Sequence, residues 1–215
     1  EKLGDKADFE AKYGVKDKGV LMFAAGDGNH SLATAKTCWE EIKKKLSEEE
    51  IKTHPARFAL VELMNIHDET LEFEPIQRVI FETEPKKLLD ELVAFYGAEY
   101  EDNGGQRIDY TYGGNEGSIY IKNTDSNLPV GTLQKFLDKY LAENGGKIDY
   151  IHGNDVVRNL AKADNTIGFM VDSMEKNDLF TTVIKDGSLP RKTFSMGEAA
   201  DKRFYPVSYT HLRAH

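Results

Sequence analysis

The chain has 215 residues, of which 40% are hydrophobic, 10% aromatic and 30% charged, enough apolar material for one sizeable core without a disulfide staple. These proportions exclude a fully disordered chain, and no apolar run is long enough to span a membrane. The 28 Lys and Arg against 37 Asp and Glu leave a net charge of −9, which argues against a protein that grips nucleic acid through its phosphates.

The single cysteine, Cys38, permits neither an internal disulfide nor a multi-thiolate metal site and suits a reducing cytoplasm. The first residue is Glu1 and no charged-then-apolar leader follows, so we expect no secretory signal and a start inside a longer protein.

Residues 5 to 13 predict a short helix stopped by Gly14, and the apolar run 20–25 (VLMFAA) predicts a buried strand. After the turn GDGNH, the spacing of Leu32, Ala35, Trp39, Ile42 and Leu46 predicts an amphipathic helix with Cys38 beside its core stripe. The runs 57–66 and 71–81, separated by HDET, predict an antiparallel hairpin. Pro85 then opens a helix that Gly97 closes. Short strands at 107–112 and 117–122 follow, then a helix at 130–143. Beyond it come a strand at 148–151, a helix at 154–163, a strand at 166–171 and a helix at 174–185. The alternation predicts an α/β to α+β architecture: a mixed sheet flanked by amphipathic helices, with a strand-loop-helix segment of phosphate-binding type near the N-terminus.

That segment, VLMFAAGDGNHSLATAK, carries most of the chemistry. The first amides of a helix lack internal partners and sit at the positive end of its dipole, so an anion can satisfy them. Gly26 and Gly28 let backbone approach a ligand, Asn29, His30 and Ser31 offer side-chain donors, and Asp27 could face a hydrated magnesium ion or take a proton from a substrate hydroxyl. The same residues also suit a plain tight turn with Asp27 or Ser31 capping the helix. The loop matches neither the P-loop nor the Rossmann fingerprint.

The blocks GDGNHSLATAK, NIHDETLEFEPIQRVIFE, KIDYIHGNDVVRNL, IGFMV and LFTTVIKDGSLPRKTFSMGEAADKRFY resemble the C-terminal half of a bacterial domain of unknown function, family ten-fifteen, over about residues 15 to 205. Members are often labelled as related to chromosome-partitioning ParB proteins. The resemblance implies a distant link to the ParB/sulfiredoxin-like nucleotide-binding group, which includes free serine kinases. In those kinases and most of the family the loop reads Asp-Gly-His-His-Arg. Here it is Asp27-Gly28-Asn29-His30-Ser31, so Ser31 stands where a two-pronged guanidinium would be. A second family motif, Pro-Thr-His-Arg, appears as Pro75-Ile76-Gln77-Arg78. Arg78 is either the compensating cation or an exposed strand residue paired with Glu72, Glu74 or Glu82.

The resemblance further implies that about half of the family's chain precedes Glu1, including the region where the kinases place a catalytic Glu. Residues 1–205 then read as the C-terminal portion of one compact domain, and Pro206 to His215 as a non-native tail. Arg191 and Lys192, beside Thr193 and Ser195, form a basic spot that is either a solvated loop or a phosphate contact. His54, His67 and His152 form no metal signature, and Ser195 lacks a nucleophile elbow.

The expectation is a cytoplasmic, nucleotide-dependent phosphotransferase for a small hydroxyl compound. Asp27 and His30 are its catalytic candidates. Gly26, Gly28, Asn29, Ser31 and Arg78 are its phosphate contacts, supported by Gln77, Arg191 and Lys192. Expected cofactors are a nucleotide and Mg²⁺, with no zinc; the expected partner is a small molecule, with no membrane and no direct nucleic-acid contact. The alternative is a ParB-like module that senses a nucleotide without catalysis. The residues specify neither the acceptor, nor the nucleotide, nor the oligomeric state.

Overall fold

The computed structural model describes residues 4–196 apart from Asp27, Thr70 and Asp125. The expectations placed on Asp27 and on the 206–215 tail therefore lie outside the described residues.

Helix α1 (Lys6–Tyr13) is capped at one end by the Asp5 carboxylate, which accepts from the Asp8 amide, and ends at Gly14. Helix α2 (Asn29–Lys43) and the short α3 (Glu48–Thr53) follow, then a 3₁₀ turn at Pro55–Arg57. The acidic stretch at 47–50 starts α3 with a capping box between Ser47 and Glu50. The Glu50 carboxyl is held below its ordinary pKa by its hydrogen bonds from the Ser47 side chain and backbone.

The sheet comprises β1 (Phe73–Phe81), β2 (Gln106–Tyr112), β3 (Asn115–Ile121), β4 (Lys147–His152), β5 (Thr166–Met170) and β6 (Phe194–Met196). Its order is β3-β2-β5-β1-β4, with β6 paired to the start of β1. Every described ladder is antiparallel, the α+β form of the expected architecture. Helices α4 (Pro85–Tyr96), α5 (Pro129–Asn144), α6 (Asn154–Leu160) and α7 (Lys176–Asp186) complete the fold.

Side chains alternate across β1 and divide the interior into two layers. Ile80 joins Ile108, Ile119, Ile167 and Phe169 beneath Leu88 and Leu92 of α4 and Leu133 and Leu137 of α5. Each such aliphatic side chain contributes about 1.5–3 kcal/mol on burial. Val79, one position earlier, faces Met170 and Val157 of α6. Helix α6 can approach because Gly168 in β5 has no side chain; a Cβ there would run into the Val157 methyl.

Three expectations are corrected. Residues 20–25 form no strand, and Met22 and Phe23 are exposed. The 57–66 run forms no hairpin with β1, because β4 and β5 already occupy both edges of β1 from Arg78 to Phe81. Phe58, Leu60, Val61, Leu63 and Met64 consequently stand exposed. Cys38 is exposed rather than part of a core. In fact no described residue from Glu10 to Glu69 is buried. One contact that ties this stretch to the rest of the fold is the Lys18 ammonium donating to the Ile184 carbonyl in the last turn of α7.

Candidate functional site

The glycine loop leads into α2 as the sequence predicts, although no strand precedes it. Gly28 is the N-cap residue, with φ 75, a left-handed conformation that a side chain would strain. Asn29 Nδ2 donates back to the Ala25 carbonyl at 3.1 Å, which turns this amide inward along the loop. His30 and Ser31 occupy the first turn, which contains no acidic residue. Gly26 passes so close to β6 that a Cβ would fall 2.9 Å from the Met196 terminal methyl.

Arg78 lies elsewhere, and it is not the exposed strand residue paired with a neighbouring glutamate. It is fully buried, and none of Glu72, Glu74 or Glu82 pairs with it. Its Nε donates to Gln134 Oε1 at 3.2 Å, one terminal nitrogen to its own strand's Ile76 carbonyl, and the other to the Arg191 carbonyl at 3.1 Å. No carboxylate among the described residues forms an ion pair with it. Burial, reinforced by repulsion from Arg191, lowers the guanidinium to about 10 against the attraction of Tyr150 and Asp138. It stays charged at neutral pH.

Around this cation a small circuit closes. Gln134 Nε2 donates to Asp138 Oδ1 at 2.8 Å, and Arg191 Nη2 donates to the same oxygen at 2.8 Å. Tyr150 sits directly across the ladder from Arg78. The Arg78 and Arg191 guanidinium carbons lie 5.3 and 5.9 Å from the centre of its ring. The Tyr150 hydroxyl is buried without a well-aligned hydrogen bond, yet it and Asp138 raise the Arg191 pKa. Two guanidinium groups thus share one ring and one carboxylate, a local surplus of positive charge.

Lys192 adjoins this cluster in a left-handed turn, φ 55, stabilised where Thr193 Oγ1 donates to the Pro190 carbonyl at 2.6 Å. Gln77 plays a different part. Its amide nitrogen donates to the Val171 carbonyl at 3.2 Å and to Asn154 Oδ1 at 3.0 Å, while its oxygen accepts from the Val171 amide at 2.9 Å. It continues the sheet's hydrogen bonding where β5 ends, and every group it offers is engaged.

The structure therefore brings Arg78 and Arg191 together, with Lys192 next to Arg191 in the chain, and the loop is not among their contacts. Met196, against Gly26, pairs with Phe73, five residues from Arg78, or roughly 16 Å at the usual strand rise. Sequence reasoning missed Tyr150, Gln134 and Asp138. The i, i+4 spacing of Gln134 and Asp138 places them on one face of α5, but nothing local says that this face meets Arg78. Among the described residues no group of three or more His, Cys, Asp and Glu side chains is placed to hold a metal ion, and no helix is long and apolar enough to cross a membrane. Two open hollows, of about 430 and 520 Å³, lie between α2 and α3 beside Trp39 and along α4, and neither is lined by the loop or by Arg78.

Against known families, the model described as "Protein of unknown function (DUF1015)" matches residues 7–142, more than half of the chain. The chain belongs to that family. Comparison of this DUF1015 chain with curated proteins finds no match. Among solved structures it is similar to a free serine kinase in complex with AMP, at 14% identity and TM-score 0.46, covering 62% of this chain and 57% of that one. A mutant of a free serine kinase in complex with ADP gives the same identity, coverage and TM-score. A conserved hypothetical protein from Pyrococcus furiosus gives 16% identity and TM-score 0.47, over 63% of this chain and 60% of that one. The DUF1015 chain thus spans under two thirds of the length of these structures.

Proposed function

We propose that this DUF1015 chain forms part of a nucleotide-dependent phosphotransferase acting on a small hydroxyl compound, with Arg191 and Lys192 meeting a phosphoryl group in the field of the buried Arg78. The observation that carries this reading is the charge balance at Arg78: a fully buried cation with no carboxylate of its own, beside a second guanidinium and a single shared Asp138. Folding a charge into low dielectric without a counter-ion is unfavourable, and such groups concentrate where an anion is to be bound. Phosphoryl transfer depends chiefly on positioning and charge stabilisation, the service a fixed guanidinium pair performs.

Loop 26–31 supports the same reading, since the Gly28 turn leaves the first turn of α2 without an acidic side chain and the loop resembles the Asp-Gly-His-His-Arg pattern. In this proposal Gly26, Gly28, Asn29 and Ser31 meet a second part of the nucleotide, and Asp27 and His30 serve the acceptor hydroxyl and Mg²⁺. A ParB-like sensing role without transfer is the second reading, favoured by the separation of loop and cluster.

Isothermal titration with ATP, ADP, CTP and inorganic phosphate tests the proposal on the wild type and on Arg191→Gln, whose side chain is 61% exposed and dispensable to the core. Binding by the wild type and loss of at least tenfold in affinity in the variant is the expected result. Equal affinity in the two proteins removes the cluster from the site. Labelled phosphate on an amino acid or alcohol separates transfer from sensing.

A further inference from the structure

We propose that Asp138 is a built-in competitor for the anion that Arg191 takes, so that the site selects a phosphoryl dianion over a monoanion such as a carboxylate. The inference rests on the anion-binding reading above and adds the class of ligand and the residue that sets it. Asp138 Oδ1 accepts from two donors at once, Gln134 Nε2 and Arg191 Nη2, each at 2.8 Å. Gln134 turns its oxygen to the Arg78 Nε and so must present its nitrogen to Asp138, which fixes the carboxylate opposite Arg191. Arg78 in turn holds the Arg191 main chain through its carbonyl. The backbone at 191 is anchored while its side chain is not.

The exposures decide which contact yields. Arg78 is inaccessible, whereas the side chains of Arg191 and Asp138 are 61% and 53% exposed. An ion pair this open is weak, so an incoming anion can displace Asp138 into water with little loss. What replaces it must do better than a carboxylate already tethered in place. A free monoanionic carboxylate offers the same charge and two oxygens, yet gives up its translational freedom, so the exchange brings no gain. A phosphoryl dianion brings a second charge against the field of Arg78, which has no ion-pair partner of its own among the described residues. Asp138 thereby sets a threshold that weakens every incoming anion alike, and that a dianion clears where a monoanion does not.

The test compares the wild-type chain with Asp138→Asn, Arg191→Gln and the double variant, titrated calorimetrically with inorganic phosphate and with acetate, with circular dichroism melting to verify folding. Asparagine keeps an acceptor for Gln134, and the site is exposed, so Asp138→Asn folds. The expected result is a gain of about threefold to fivefold in phosphate affinity and the appearance of measurable acetate binding in Asp138→Asn, both absent when Arg191→Gln is added. Wild-type phosphate binding that Asp138→Asn leaves unchanged or weakens overturns the role of Asp138 while the anion site stands. Absence of phosphate binding in all four proteins overturns the site and the inference together.

Discussion

At the scale of single residues, the structure sets close contacts whose removal has a defined sign. Gly168 lies where α6 crosses β5, and a methyl group there meets the Val157 side chain and, at 3.2 Å, Thr111 Cγ2. Gly168→Ala is expected to destabilise the protein by about 1–3 kcal/mol in urea denaturation, as overpacked cores do. Adding Val157→Ala should return part of that loss, because the clash and the relief share one volume. Arg78 shows how little of a residue's surroundings its sequence neighbours reveal. Glu72, Glu74 and Glu82 stand close in sequence and suggest an exposed ion pair. The partners the structure supplies are Gln134 and Arg191, 56 and 113 positions away. Strand periodicity places Arg78 on a face, but only the arrival of α5 and the 191 turn decides that the face is dry.

At the scale of elements, helices bounded by strong signals were readable and apolar runs were not. Pro85 with Gly97, and Gly14 after α1, mark ends by backbone chemistry that needs no tertiary context. By contrast, 20–25 and 57–66 have strand composition, yet a strand exists only when a neighbouring backbone is free to pair, and from Arg78 to Phe81 both edges of β1 are taken. Three-residue β6 escaped notice because it is too short to show a period, although its register against Phe73–Pro75 is what carries the 191–193 turn toward Arg78. The glycine loop was legible as a helix start, while its distance from Arg78 was not. With no buried residue, α2 and α3 rest on local bonds. Their amides are expected to exchange with deuterium at least a hundredfold faster than those of β1, β5 and α5. Ser47→Ala, which removes the α3 capping box at about 1 kcal/mol, should speed exchange in α3 without lowering the main thermal transition.

At the scale of the whole molecule, the alternation of strands and helices was enough to give the class, and the antiparallel order of the sheet had to come from the structure. The same molecule leaves the apolar stretch 58–64 open to solvent, with no backbone partner for 59–64 among the described residues, the pattern associated with edge-to-edge association. Leu60→Lys combined with Leu63→Lys is therefore expected to reduce concentration-dependent light scattering while leaving the far-ultraviolet spectrum intact. The pairing scheme of β1 has a consequence for the order of assembly. All three of its partners, β4, β5 and β6, begin at or after Lys147. As the polypeptide leaves the ribosome, the strand bearing Arg78 emerges before its partners and waits, and the central layer closes only after residues 147–196 have followed it.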